Sequence, residues 1–157
     1  DYFNRVDNKE FDDLIHQAAE IIVNSREVIC SGIGLSDAIA KFAASLFNRK
    51  GKRTIYGEDF SVRFRGMYDE NDCALFFTVS GETKEVIDRI KELKRYGLKI
   101  IVITNNASSS AAKISDLAIT YYVPSSRNDD FYSSATQVPV LYIIESIANI
   151  FIEYGIY

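Results

Sequence analysis

Tryptophan is absent from the 157 residues, histidine and methionine occur once each, and cysteine and proline twice each. Two cysteines cannot build the dense cross-linking of a small secreted domain. Cys30 and Cys73 each sit inside an apolar run, where a free thiol behaves as a small buried hydrophobe. Long hydrophobic runs are missing too. The longest uninterrupted one, from Val138 to Ile144, falls far short of the roughly 18 apolar residues of a membrane span, so no membrane partner is expected. Positive charge is also in short supply: 18 Lys and Arg face 22 Asp and Glu, a net charge of -4. That balance does not suit a surface built to grip a phosphodiester backbone. What is present is ordinary globular material, with 47% hydrophobic and 25% charged residues, ten Tyr and ten Phe. The length predicts one domain over 1–157. Because no signal-like apolar segment is visible and the chain begins at Asp1 without methionine, a cytoplasmic piece of a longer protein is expected.

Apolar residues at Phe11, Leu14, Ile15, Ala18, Ala19, Ile22 and Val23 predict a helix. A short run at Val28–Cys30 predicts a strand. A second helix follows on Leu35, Ala38, Ile39, Phe42, Ala43, Leu46 and Phe47 and ends at Gly51. Further strands are expected at Arg53–Tyr56, Cys73–Val79, Lys99–Thr104 and Leu117–Val123, with a helix on Val86, Ile87, Ile90 and Leu93. Asp59–Tyr68 is ambiguous, and Pro124–Asp130 reads as a loop. Strands that are continuous apolar runs alternating with helices imply a parallel sheet covered on both faces. The expected fold is a three-layer α/β sandwich with a five-stranded parallel sheet in the flavodoxin-like order 2-1-3-4-5. The segment Val138–Tyr154 is apolar around most of its girth, with Glu145, Asn149 and Glu153 as its regular polar stripe. It reads as a core helix, as a helix with one face in a subunit interface, or as both. Pro139 is expected in its first turn.

Two loops carry the chemistry. Ser31-Gly32-Ile33-Gly34-Leu35-Ser36 follows the first strand and Thr78-Val79-Ser80-Gly81-Glu82-Thr83 the third, and each leads into a helix. Glycine lets backbone approach a ligand, and a first helical turn presents unpaired amides to an anion. Ser80 and Thr83 can add hydroxyl contacts to phosphate oxygens, and Ser31 or Ser36 can do the same for sugar hydroxyls. In the order 2-1-3-4-5 both loops meet where strand order reverses. The plain alternative makes Ser36 and Ser80 helix caps. A dinucleotide site is also conceivable from Gly32-x-Gly34, with Glu58 or Asp59 as the ribose acid. However, Asp37 stands where that fingerprint needs its last glycine, and no cofactor is expected.

At these loops the chain resembles the sugar isomerase (SIS) domain, on three markers. They are Gly32-Ile33-Gly34-Leu35-Ser36, Ser80-Gly81-Glu82-Thr83, and Ser109-Ser110 with Ser115-Asp116. The resemblance implies that Thr78, Ser80 and Thr83 hold a phosphate, that Gly32, Gly34 and Ser36 line the sugar side, and that Ser109 closes the pocket. Tyr132-Ser133-Ser134-Ala135-Thr136 before the last helix is similar to the effector domain of RpiR-type regulators. That implies a sugar-phosphate-responsive domain, a homodimer or tetramer, with DNA bound only through an N-terminal helix-turn-helix domain outside this sequence. The alternative within the family is an aldose–ketose isomerase, which needs a base. The residues on offer are Glu82, Asp129 and Asp130, with His16 alone on the first helix. Glu82 equally suits the helix dipole, and no catalytic residue is expected.

Overall fold

The computed structural model describes residues 9–57, 66–122 and 136–156. Helix α1 (Lys9–Val23) turns Phe11, Ile15, Ala18, Ala19 and Ile22 inward, which is why its apolar residues recur at helical spacing. Then follow β1 (Val28–Gly32), α2 (Leu35–Arg49), β2 (Thr54–Tyr56), β3 (Cys73–Thr78), α3 (Lys84–Arg95) and β4 (Lys99–Thr104). A short α4 (Ser110–Ile114), β5 (Leu117–Thr120) and α5 (Val138–Ile150) complete the regular elements, with a 3-10 turn at Phe151–Tyr154.

The five strands are parallel and stand in the order β2-β1-β3-β4-β5, as expected. Alternation along each strand divides the core. Val28 and Cys30, Leu75 and Phe77, Ile101 and Ile103 pack with α1, α2 and α5. Ile29, Ala74, Phe76, Ile100 and Val102 pack with α3 and α4. Both faces are therefore dry, which is what a β-branched, near-continuous apolar strand requires. Register levels the carboxyl ends of three strands, because Gly32 pairs with Phe77 and Thr78 with Thr104. The amino ends are tied by the Arg26–Asp72 pair at 2.6 and 3.1 Å. There Lys52 Nζ also donates to the carbonyls of Val23 and Ser25, where α1 ends.

Cys30 and Cys73 are buried and free; burial pushes the Cys73 thiol up to about 11 and Cys30 well above the usual range as well. Among the described residues no helix is long and apolar enough to cross a membrane. The expected helix from Val138 to Tyr154 is α up to Ile150 and tightens to 3-10 beyond it, with Pro139 in the first turn. Helix α4 was not expected: Ser109-Ser110 reads as loop material until Ser109 caps a helix whose one buried residue, Ala111, packs under the sheet. Glu58, Asp59, Asp129, Asp130, Tyr132, Ser133, Ser134 and Ala135 lie outside the described residues.

Candidate functional site

The loop after β3 is a tight turn closed by its own hydroxyls. Thr78 Oγ1 accepts from the Gly81 amide and Ser80 Oγ from the Glu82 amide, each at 3.1 Å. Gly81 has φ +70°, and a Cβ there would lie 2.1 Å from Ser109 Oγ, so only glycine fits. Around the loop runs a brace from the β4–α4 connection. Thr104 Oγ1 donates to the Val79 carbonyl at 3.1 Å, and Asn106 Nδ2 to the Ser80 carbonyl at 3.3 Å. The Ala111 amide donates to the Gly81 carbonyl at 3.0 Å. Glu82 completes the brace: its carboxylate accepts from Ser110 Oγ at 2.7 Å and from the Ser110 amide at 2.8 Å. Those two bonds hold its carboxyl below the usual glutamate range.

Thr83, not Ser80, is the N-cap of α3, and its hydroxyl makes no cap bond. Likewise Gly34, at φ +65°, and not Ser36, caps α2. The capping alternative for both serines is therefore not what the structure shows. Ser109 caps α4 instead, accepting from the Ala112 amide at 3.2 Å, and is fully buried behind Gly81.

The loop after β1 is held differently. A Cβ on Gly32 would stand 2.4 Å from the Ser36 carbonyl oxygen, so the first turn of α2 rests directly on the end of the strand. Ser31 and Ser36 are only 3% and 7% exposed. Neither hydroxyl has a hydrogen-bond partner among the described residues. Buried hydroxyls ordinarily have one. Asp37, in the same turn, accepts from the Tyr56 hydroxyl of β2.

These parts adjoin at the carboxyl edge, between β1 and β3. Neither 31–36 nor 78–83 contains a lysine or arginine. What they offer an anion is amide hydrogens, two helix starts and hydroxyls; what they offer a polyol is the pair of serines without partners among the described residues. His16 is elsewhere, 3.9 Å from Glu153 on the α1 side. A groove of about 400 Å³ with Asn24, Asn71 and Lys99 in its lining lies at the opposite, amino edge, away from both loops. Thr104 and Asn106 were not singled out from the sequence, and Ser110 only within the Ser109-Ser110 marker. Their signal was position, since Thr104 ends the strand that pairs with Thr78.

The SIS domain family profile matches residues 21–143. The RpiR HTH-type transcriptional regulator of Escherichia coli is 32% identical over 114 residues, covering 71% of this chain and 38% of that protein. The arabinose 5-phosphate isomerase KpsF, also from Escherichia coli, is 30% identical over 107 residues, covering 66% of this chain and 33% of the enzyme. The chain thus spans less than half the length of the curated relatives it matches. Among solved structures, the sugar isomerase domain of an RpiR transcription factor from Sphaerobacter thermophilus superposes with a TM-score of 0.78 at 18% identity. It covers 98% of this chain and 88% of that one. The Vibrio vulnificus NanR protein complexed with ManNAc-6P gives 0.77 at 23% identity, covering 90% and 54%.

Proposed function

Because the chain belongs to the SIS domain family, we propose that it is the sugar-phosphate-sensing domain of an RpiR-type regulator, working in the cytoplasm as a homodimer or tetramer. DNA binding would reside in a helix-turn-helix domain on a longer chain. The observation that carries this reading is the state of Glu82. It is the acidic side chain of the proposed phosphate loop, and both its oxygens accept from Ser110, so on this reading it braces the loop. Around it the loop is prearranged to receive a phosphate at the amides of the first α3 turn and the hydroxyls of Ser80 and Thr83. The sugar then extends over Gly32 and Gly34 toward Ser31 and Ser36. A bound phosphosugar links the two loops, which is how occupancy of the site would be felt by neighbouring domains.

A ligand that binds only the folded state stabilises it by about 2.7 kcal/mol at a hundredfold excess over Kd. Hexose and amino-sugar phosphates are expected to raise the melting temperature where their unphosphorylated parents do not; equal shifts by the parents refute the anion site. The second reading, isomerase, is favoured by the likeness to arabinose 5-phosphate isomerase. Turnover of phosphorylated aldoses or ketoses that is abolished by Glu82→Gln, Asp129→Asn or Asp130→Asn, with thermal shifts retained, establishes the isomerase instead.

A further inference from the structure

The groove of about 400 Å³ at the amino edge takes no part in the site between the glycine loops. Its frame is closed by bonds of its own. On one side the last turn of α1 is sealed: the Asn24 amide donates to the Glu20 carbonyl at 3.0 Å, Ser25 Oγ to the Ile21 carbonyl at 2.7 Å, and Lys52 Nζ to the carbonyls of Val23 and Ser25. On the other side the turn before β3 is tied by Asp69 Oδ1, which accepts from the Asn71 amide and Nδ2 at 2.9 and 3.0 Å. The Arg26 amide also donates to the Asn71 carbonyl at 2.6 Å. Glu70 leans on Gly97, where a Cβ would come within 3.3 Å of the Glu70 amide nitrogen. Walls fixed in this way keep their spacing when a ligand enters, which limits the ordering entropy lost on binding.

The side chains that line the groove are in the opposite state. Glu20, Glu70 and Lys99 are exposed, and none has an ion pair or a side-chain hydrogen bond among the described residues. Elsewhere in the molecule opposite charges close on one another: Arg26 on Asp72 at 2.6 Å, Lys84 on Asp88 at 3.0 Å and Arg53 on Glu27 at 3.1 Å. Here two carboxylates and an ammonium share one groove without touching, because they hang from α1, from the turn before β3 and from the first residue of β4. Gln17 and Asn24 add two amides without partners among the described residues, and Ile21, on the same face of α1, sets an apolar strip between them. The volume falls within the range of small-molecule sites. What complements this lining is a molecule with both signs of charge a short distance apart. A plain anion would face two carboxylates and a plain cation would face Lys99, whereas a zwitterion places each of its charges on the opposite one.

We propose that the amino-edge groove binds a free α-amino acid, with its ammonium on Glu20 and Glu70, its carboxylate on Lys99, and its side chain laid along Ile21 toward the amides of Gln17 and Asn24. This site shares no residue with the sugar-phosphate reading and does not rest on it. The test titrates each L-amino acid into the chain, without sugar phosphate, by calorimetry or protein NMR. At least one is expected to bind with a Kd at or below about 1 mM. Its methyl ester lacks the carboxylate and its N-acetyl derivative lacks the ammonium, and each is expected to bind about tenfold more weakly. Lys99→Gln is expected to weaken the amino acid about tenfold and leave the methyl ester unchanged, whereas Glu20→Gln and Glu70→Gln weaken the amino acid and spare the N-acetyl derivative. The three side chains have no partner to lose among the described residues, so these variants are expected to keep the wild-type melting temperature, and Glu145→Gln on α5 is expected to leave binding as it is. Failure of every amino acid to bind overturns the site. Ester and N-acetyl forms that bind as well as the parent, an equal loss with Glu145→Gln, or an alkylamine or magnesium ion that binds at the same residues as tightly as the amino acid overturns the assignment of its ligand.

Discussion

The two loops at the carboxyl edge have the same plan, strand to serine-glycine turn to helix, yet they are held by different forces. The loop after β3 is fastened from outside, through Thr104, Asn106, Ser109 and Ser110, and the Thr78 and Ser80 hydroxyl oxygens accept from amides inside the turn. The loop after β1 is positioned by contact of backbone with backbone at Gly32, and its serine hydroxyls have no hydrogen-bond partner among the described residues. A phosphate presents the same three oxygens whatever it is attached to, so a fixed cradle costs nothing in generality and avoids ordering entropy on binding. Sugars differ in the direction of their hydroxyls. On the proposed sugar-phosphate reading, a half-site whose two serine hydroxyls have no partner among the described residues can follow such differences, and the braced half-site cannot.

The largest expected effect separates the two loops by stability. Gly32→Ala and Gly81→Ala should each destabilise by about 3 kcal/mol, through overpacking and, at Gly81, a left-handed backbone. They should respond differently to relief. Ser109→Gly removes the atoms that a Gly81→Ala methyl would strike, and is expected to restore part of the loss in denaturant melts. At Gly32 the obstruction is the Ser36 backbone, so no side-chain truncation should help; rescue there would show that α2 can shift and that the contact is not rigid.

Next comes ligand affinity. Ser80→Ala and Thr83→Ala are expected to weaken sugar-phosphate binding by about 1 to 3 kcal/mol each, because each removes a partner of a charged group. Ser31→Ala and Ser36→Ala should cost less for any one ligand but change the ranking among sugar phosphates in calorimetric titrations. If all four variants scale every ligand equally, the division into a phosphate half and a sugar half is wrong.

The smallest effect is the pH dependence of the brace. The Glu82 carboxyl is held below its ordinary range by Ser110. Its contribution to stability is therefore fully present above the unfolded glutamate pKa of about 4.3 and is lost as pH falls through the lower folded value. The stability gap between wild type and Glu82→Gln should be constant at neutral pH and close on acidification below about pH 4. A gap that persists unchanged in acid would mean that the carboxylate charge is not what Ser110 responds to.

The architecture was legible because it rests on local pattern. Apolar runs at Val28–Cys30, Cys73–Thr78 and Lys99–Thr104, alternating with helical spacing, leave a buried parallel sheet as the arrangement that keeps both strand faces dry. The expected strand order was observed. Ends were less legible. Ile150 gives no signal that the last helix will tighten, and Ser109-Ser110 reads as loop because its helix is too short to show periodicity.

Sequence alone thus determined the layers, the position of the two glycine loops and their lack of cationic side chains, all of which follow from residue type and near-neighbour spacing. Only the tertiary structure decided which hydroxyls have hydrogen-bond partners among the described residues. It assigned the cap roles to Gly34 and Thr83, tied Glu82 to Ser110, and buried Ser109 behind Gly81. The ties of Glu82 to Ser110 and of Thr104 to Val79 join segments more than twenty residues apart at about 3 Å, and hydrogen-bond partners chosen across such separations leave no periodic trace along the chain.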